Sequence, residues 1–325
     1  MHICAIVLSD MALLLAVCLS FSFALSVQGN IVQSCISSEC MLTFTGQCNG
    51  PSITISSSAD ADSISSCKLY DGDIVISASN TDNITLTGIE SIAGDLTASN
   101  ASISALSAPD LITIGGTLQL SHLGRLSTLR VPSLTTLNSI LWVNLPSLRS
   151  VDFEGGVSQA GNIVIFDTGL LSIGGLSMVL AKSIDISNNA QLETIGLQDL
   201  ENATSLSFQA NAPTLSLRFD SLQFVFGNMT FANISALSTP DLQEVTGALT
   251  CYSCSMATYR STWLMSVGLN MAFVSTEVSK LDFPDLVDIG GGLQLSNNSK
   301  LRVVDGFEML ESIEGGVTLN GNFDA

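Results

Sequence analysis

Triplets with apolar first and third residues around an outward middle one recur along almost the whole chain. They stand at Ile53/Ile55, Ile74/Ile76, Leu96/Ala98, Leu118/Leu120, Ile140/Trp142, Ile163/Ile165 and Ile184/Ile186. They continue at Leu206/Phe208, Met229/Phe231, Leu249/Cys251, Met271/Phe273, Leu293/Leu295 and Val317/Leu319. This period of two predicts short strands with one buried face. Successive triplets begin 20 to 24 residues apart. A repeat of that size predicts a solenoid, because each unit can bury its apolar edge only by stacking on its neighbours. Several units return through P-x-L-x-x-[VIL]: Pro109, Leu111, Ile114; Pro132, Leu134, Leu137; Pro240, Leu242, Val245; Pro284, Leu286, Ile289. Proline has no N–H for a ladder and marks a bend, and Gly115-Gly116 and Gly290-Gly291-Gly292 turn the chain into the next strand. No amphipathic helical stretch separates these elements. The expected fold class is therefore all-β: a right-handed parallel β-solenoid of about 22 residues per coil and about 13 coils over residues 48–325.

The clearest units add an asparagine. Leu293, Leu295, Asn298 and Leu301 follow L-x-L-x-x-N-x-x-L, as do Ile184, Ile186, Asn189 and Leu192. This resembles the leucine-rich-repeat pattern, in which inward asparagines satisfy backbone groups where the chain leaves the strand. Asn211 and Asn322 hold the same place, but Ala101, Leu123, Leu145, Thr168 and Ile234 hold it elsewhere, so a partial ladder is expected. Residues 250–268 look foreign, yet Leu249, Met271 and Leu293 keep the spacing, which predicts a divergent coil.

The chain ends place this repeat outside the cell. Met11 to Leu25 is an apolar run followed by small residues, read as a signal peptide over 1–29, with a leader segment at 30–47. Cys4 and Cys18 leave with the signal, and an even six remain: Cys35, Cys40, Cys48, Cys67, Cys251 and Cys254. Cys48 and Cys67 bracket the first triplet, where a bridge would close the end of the stack. Cys35–Cys40 and Cys251–Cys254 are then candidate local pairs. Zinc at Cys251-x-x-Cys254 lacks a second pair or a histidine close in sequence. Six N-x-[ST] sequons, at Asn83, Asn100, Asn202, Asn228, Asn233 and Asn297, predict N-glycosylation. With 29 acidic against 10 basic residues and a net charge of -19, the chain has no basic stripe for nucleic acid.

Several segments carry a family resemblance: Cys48-x-Gly50, SSCxxxxGDIxIS from Ser65, LTGIESIAGDLTxSNAS from Leu86 and SIxWVxLPSLxS from Ser139. VSKLDFPDLVDIGGGLQLSNNSKL and DGFEMLESIEGG extend it over roughly residues 48–325. Together they resemble the fungal GPI-anchored cell-wall organisation proteins, including the sporulation-specific wall proteins, which have receptor-L-domain-like leucine-rich repeats. The resemblance implies a non-enzymatic glycoprotein of the plasma membrane and wall, acting in wall or spore-wall assembly, with two L-domain-like halves as one arrangement. It also implies further coils, a Ser/Thr-rich stalk and a GPI signal. This chain stops inside a unit at Phe323-Asp324-Ala325, so a longer protein is expected.

Catalytic chemistry finds little footing in the pattern. His122 is the one histidine after the signal and reads as a turn residue, since no nucleophile and orienting acid accompany it. Asp110, Asp241 and Asp285 follow the repeated proline, a turn position. Asp167 and Asp185 fall in successive coils without a basic partner, as a β-helical polysaccharide hydrolase or lyase would need. A ligand-binding receptor domain is a third reading, and no cofactor is implied. The outward strand residues are mostly small and polar: Thr97, Gln119, Ser121, Ser207, Thr230, Gln294 and Thr318. Leu141, Val143, Val164 and Phe166 break that rule and form a candidate contact patch with cell-wall components or surface proteins. The plainer expectation is that the connection over 146–162 folds across them. Phe166 is the one aromatic assigned to this face, which is thin support for sugar stacking.

Overall fold

The computed structural model describes residues 48–79, 83–304 and 306–321, and the backbone of the strands Ser26–Val27, Ile31–Ile36 and Glu39–Phe44. The chain divides into two compact units, Met1–Cys48 and Asn49–Ala325. In the first, the three strands pair antiparallel in chain order, with Cys35 opposite Cys40 in register. The apolar run at 11–25, Cys4, Cys18 and Asn322 lie outside the described residues, as do the side chains of Cys35 and Cys40.

In the second unit every triplet becomes a strand of one parallel front sheet. Ile53, Ile74, Leu96, Leu118, Ile140, Ile163 and Ile184 are register partners in turn. Leu206, Met229, Leu249, Met271, Leu293 and Val317 continue the row. The result is a β-solenoid of about 12 turns, roughly 22 residues apart. About 13 coils were expected from the triplets; each turn is closed only by the triplet that follows it. A second row of short parallel strands runs through Ile114–Leu137 and through Val245, Val267 and Ile289. A third set forms separate sheets, including Ser150–Val157 with Ser172–Leu176 and Thr258–Arg260 with Lys280–Asp282. Among the described residues the one helix is Ser58–Ser63, whose first turn is capped where Asp60 N donates to Ser57 Oγ at 3.3 Å.

The core lies inside the coils, where the three strand rows meet. Ile74, Leu96, Leu118, Ile163 and Met229 are fully buried from the front row, and Leu111, Leu134, Leu242, Leu264 and Leu286 from the return turns. Toward the C-terminal half, aromatic rings fill this space. Phe208 lies 5.9 Å from Phe219 and 6.1 Å from Phe231. Tyr259 packs edge-on to Phe283 at 5.5 Å and Phe283 continues to Phe307 at 5.4 Å. Such offset and edge contacts are the favoured geometries for buried rings.

Two features hold the corner where the chain leaves the front sheet. The exit residue is left-handed in Asn100, His122, Asn144, Asp167, Asn188, Ala210, Asn233, Ser253, Ser275 and Asn297, with φ between 51 and 61°. Asparagine and aspartate tolerate that conformation better than other side chains, which accounts for their frequency here. The residue after it carries the ladder. Asn189 Oδ1 accepts from Thr168 N at 2.9 Å and from Thr168 Oγ1 at 2.6 Å, while Asn189 Nδ2 donates to Ile165 O at 3.0 Å. Asn189 N in turn donates to Asn211 Oδ1 at 3.1 Å. Asn298 repeats the arrangement with Thr276 and Phe273 O. Each asparagine thus satisfies buried backbone groups that the bend leaves without a sheet partner.

Residues 250–268 belong to the stack. Thr250 pairs with Thr230 and Ala272, and Val267 with Val245 and Ile289. Cys251 and Cys254 are joined in a disulfide with a Cα–Cα distance of 6.1 Å, so neither sulfur is a free thiolate for zinc. Cys48 and Cys67 are both disulfide-bonded.

Candidate interaction surface

The outward side of the front sheet is built by the middle and flanking residues of the triplets. Parallel register places the same coil position of each unit in one row, with about 4.8 Å between neighbouring strands. Ser99 and Ser121 hydroxyls meet at 2.9 Å across one such step, and Thr230 and Thr250 at 3.3 Å across another. Beside them, Asp73 Oδ1 accepts from Asp95 N and Asp95 Oδ1 from Thr117 N, so these carboxylates bind the backbone of the next coil. Asn228 and Asn270 do the same for Ala248 N and Gly292 N.

In the middle of this polar face, Leu141 pairs with Val164 and Val143 with Phe166. Gln119 and Ser121 flank them on one side and Asp185 and Ser187 on the other. The connection over 146–162 does not cross the four. Its residues Ser150–Val157 form a strand of a different sheet, because Val151, Phe153 and Val157 point their side chains into the core. The expected cover is therefore corrected: Phe166 stays 43% exposed, and Leu141, Val143 and Val164 are half-buried. The aromatic inventory of the face also grows, since Tyr252 stands in the outward row of Phe166 with 41% exposure. Beside Tyr252 the small residues Ala248, Ala272, Gly292 and Gly316 leave a shallow trough.

Asp167 and Asp185 take different places in their coils. Asp167 occupies the left-handed corner, whereas Asp185 lies on the sheet, opposite Val164, accepting from Ser187 Oγ at 3.0 Å. His122 holds the same corner as Asn100 and Asn144, and its N–H donates to Val143 O. Among the described residues no group of three His, Cys, Asp or Glu is arranged to hold a metal ion. Of the sequons, Asn100, Asn233 and Asn297 sit exposed at the left-handed corner, and Asn83 and Asn228 are exposed elsewhere. Asn202 is half-buried within a strand, between Leu180 and Phe224.

One exposed group escaped the sequence reading. Trp263 occupies the turn position that Asp241 and Asp285 hold in the neighbouring coils, and it is 57% exposed. The signal was present in the alignment of Pro240-Asp241-Leu242, Thr262-Trp263-Leu264 and Pro284-Asp285-Leu286. An aromatic at the solvent side of a return turn has no core to fill.

Fold and surface together define a parallel β-solenoid repeat protein whose front sheet presents a broad outward face. The chain is 38% identical over 284 residues to a cell surface GPI-anchored protein of Arthroderma benhamiae, covering 87% of this chain and 73% of that one. It is 37% identical over 242 residues to the protein ecm33 of Aspergillus fumigatus, covering 74% and 61%. It is 31% identical over 258 residues to sporulation-specific protein 2 of Saccharomyces cerevisiae, covering 78% and 51%. The chain thus spans about half to three quarters of the length of these curated relatives. It belongs to their family of fungal cell-surface and cell-wall proteins. No family model matches it, and no solved structure does.

Proposed function

We propose that this protein is a secreted, N-glycosylated cell-surface protein that organises the fungal wall by binding, without catalysing a reaction. The observation that carries this reading is the uncovered apolar patch of Leu141, Val143, Val164 and Phe166 on an otherwise polar sheet. A set of apolar side chains held in register by the backbone is a preformed contact surface, since binding to it needs no further ordering of the backbone. The relatives' names, which speak of cell surface and cell wall, support the location and the kind of partner. The different places of Asp167, at the corner, and Asp185, on the sheet, support a binding reading over glycoside hydrolysis, which uses two carboxylates facing one bond.

The test uses the purified protein and a washed fungal wall preparation. Wild-type protein is expected to sediment with the walls. Phe166→Asp is expected to stay largely in the supernatant with an unchanged melting temperature, because the side chain packs on the surface only. Binding by Phe166→Asp equal to wild type would remove the patch from the reading. Release of reducing sugar from wall glucans or pectins that disappears in Asp167→Ala or Asp185→Ala would replace binding with catalysis.

A further inference from the structure

The return turn at Trp263 has the make-up of a second, chemically distinct site. Met265 N donates to Gln243 O at 2.8 Å, and Val287 N donates to Met265 O at 2.9 Å, so these residues stack in one row. In the adjoining row stand Asp241, Trp263 and Asp285, each 22 residues from the next. Between the rows Gln243, Trp263, Met265 and Asp285 line a shallow depression of about 230 Å3. Among the described residues, neither the Gln243 amide nor the Asp285 carboxylate has a side-chain hydrogen bond or ion pair. That distinguishes Asp285 from Asp110, which holds the same turn position but accepts from Gly88 N at 2.9 Å. The cations of the same coils are committed elsewhere, Arg260 and Lys280 both facing Asp282 at 3.1 and 3.7 Å.

An exposed indole with an unengaged carboxylate and amide beside it matches one kind of ligand closely. The apolar C–H face of a pyranose ring lies on an aromatic plane, and its equatorial hydroxyls donate to a carboxylate or pair with an amide. Sites for small organic ligands repeat this plan of an apolar or aromatic floor with a few placed polar groups. The local charge narrows the class further. Asp241 and Asp285 flank the ring in a chain of net charge -19, so an anionic polymer is repelled and a neutral one is not.

We propose that Trp263, with Gln243 and Asp285, is a binding subsite for a neutral hexose polymer. This names a partner class for the wall protein proposed above and rests on that reading for the choice of polymer. The site is separate from the Phe166 patch, so the two stand or fall on different variants.

The experiment follows tryptophan fluorescence of the purified protein during titration with soluble neutral glucan oligosaccharides of β-1,3, β-1,6 and α-1,3 linkage, with a phosphorylated mannan as the anionic control. The chain has two tryptophans, and Trp142 is fully buried, so a ligand-dependent change reports on Trp263. A saturable blue shift with at least one neutral glucan and none with the phosphorylated mannan is expected. Trp263→Ala should weaken co-sedimentation with the insoluble form of that glucan about tenfold, and Asp285→Asn should weaken it less while leaving the blue shift in place. Circular dichroism should be the same for all three proteins, since no changed side chain lies in the core. The proposal is overturned if no neutral glucan shifts the emission, or if Trp263→Ala sediments like wild type. It is equally overturned if the shift depends on protein concentration instead of glucan and Trp263→Ala abolishes it, for then a second copy of the chain is the occupant. Loss of glucan binding in Trp263→Ala with wall sedimentation still dependent on Phe166 would leave both readings standing.

Discussion

Tyr259 is a residue whose environment, more than its identity, sets its behaviour. It is buried at the centre of the aromatic cluster, with its hydroxyl 2.9 Å from Thr239 Oγ1. Burial pushes its pKa up to about 12 from 10.0, and the hydrogen bonds to Thr239 and Ser261 offset only part of that rise. An unfolded chain then releases this proton near pH 10 while the folded one holds it. The tyrosine's contribution to stability is therefore complete below pH 10 and is lost as pH climbs toward the folded value, by about 1.4 kcal/mol per unit. Urea midpoints measured at pH 8, 10 and 11 should fall more steeply for wild type than for Tyr259→Phe. At pH 8 the variant should be weaker by about 1 kcal/mol, because the Thr239 and Ser261 hydroxyls lose a partner. Equal slopes for both proteins would show that Tyr259 ionises freely. Little of this was legible in the sequence, where Tyr259 lies in the stretch that looks foreign and no pattern marks Thr239 and Ser261 as its partners. Asn189 and Asn298 were legible, because their spacing from a strand fixes what their amides must satisfy.

At the scale of the strand and its turn, the alternation predicted every front strand, since side-chain direction there is decided locally. The strand Ser150–Val157 was missed as an element because its neighbours in sequence suggested a loose connection, although Val151 and Phe153 alternate as the triplets do. Corners behave similarly. Asn100, Asn144 and Asn188 advertise a left-handed residue, but Ala210, Ser253 and Ser275 adopt it only because the coils above and below impose the bend. Gly175 shows how tight that imposition is. Its φ is +73°, and a Cβ there would lie 2.2 Å from Phe153 O of the adjoining coil. Strand pairing in this sheet cannot open to admit a methyl group without breaking the register between Val151 and Ile173. Gly175→Ala should therefore cost roughly 1–3 kcal/mol or more in urea unfolding. Gly124→Ala is the matched control, since nothing stands within 4 Å of its Cβ and φ is not left-handed there, and it should be neutral within about 0.5 kcal/mol. An unaffected Gly175→Ala would mean that the turn relaxes and that the stack tolerates a shifted coil.

For the solenoid as a whole, the sequence made the stack legible through its period and left its two exposed surfaces half-read. A periodic pattern reports which side chains face inward, but not which outward ones lack a cover, because cover comes from coils far apart in sequence. The same architecture governs how damage spreads. Each coil touches chiefly the one before and the one after, so stability is close to a sum of coil and interface contributions. Phe208 is the sharpest place to ask whether this holds, because its ring spans an interface, meeting Phe219 in its own coil and Phe231 in the next. Phe208→Ala removes both contacts and leaves a cavity, at a cost of about 3–5 kcal/mol. If coils open semi-independently, amide exchange should quicken in the strands through Ile184, Leu206 and Met229. The strands through Leu96 and Leu118, and those through Met271 and Leu293, should keep their protection. Phe166 lies before the affected coils and Trp263 and Asp285 after them, while Gln243 stands in the coil that begins at Met229. The Phe166 patch should therefore keep its binding in the variant, and the Trp263 subsite should lose only the share that Gln243 contributes. Uniform loss of protection from Leu96 to Leu293 would instead show one cooperative unit, in which a change in the middle of the stack reaches both surfaces at once.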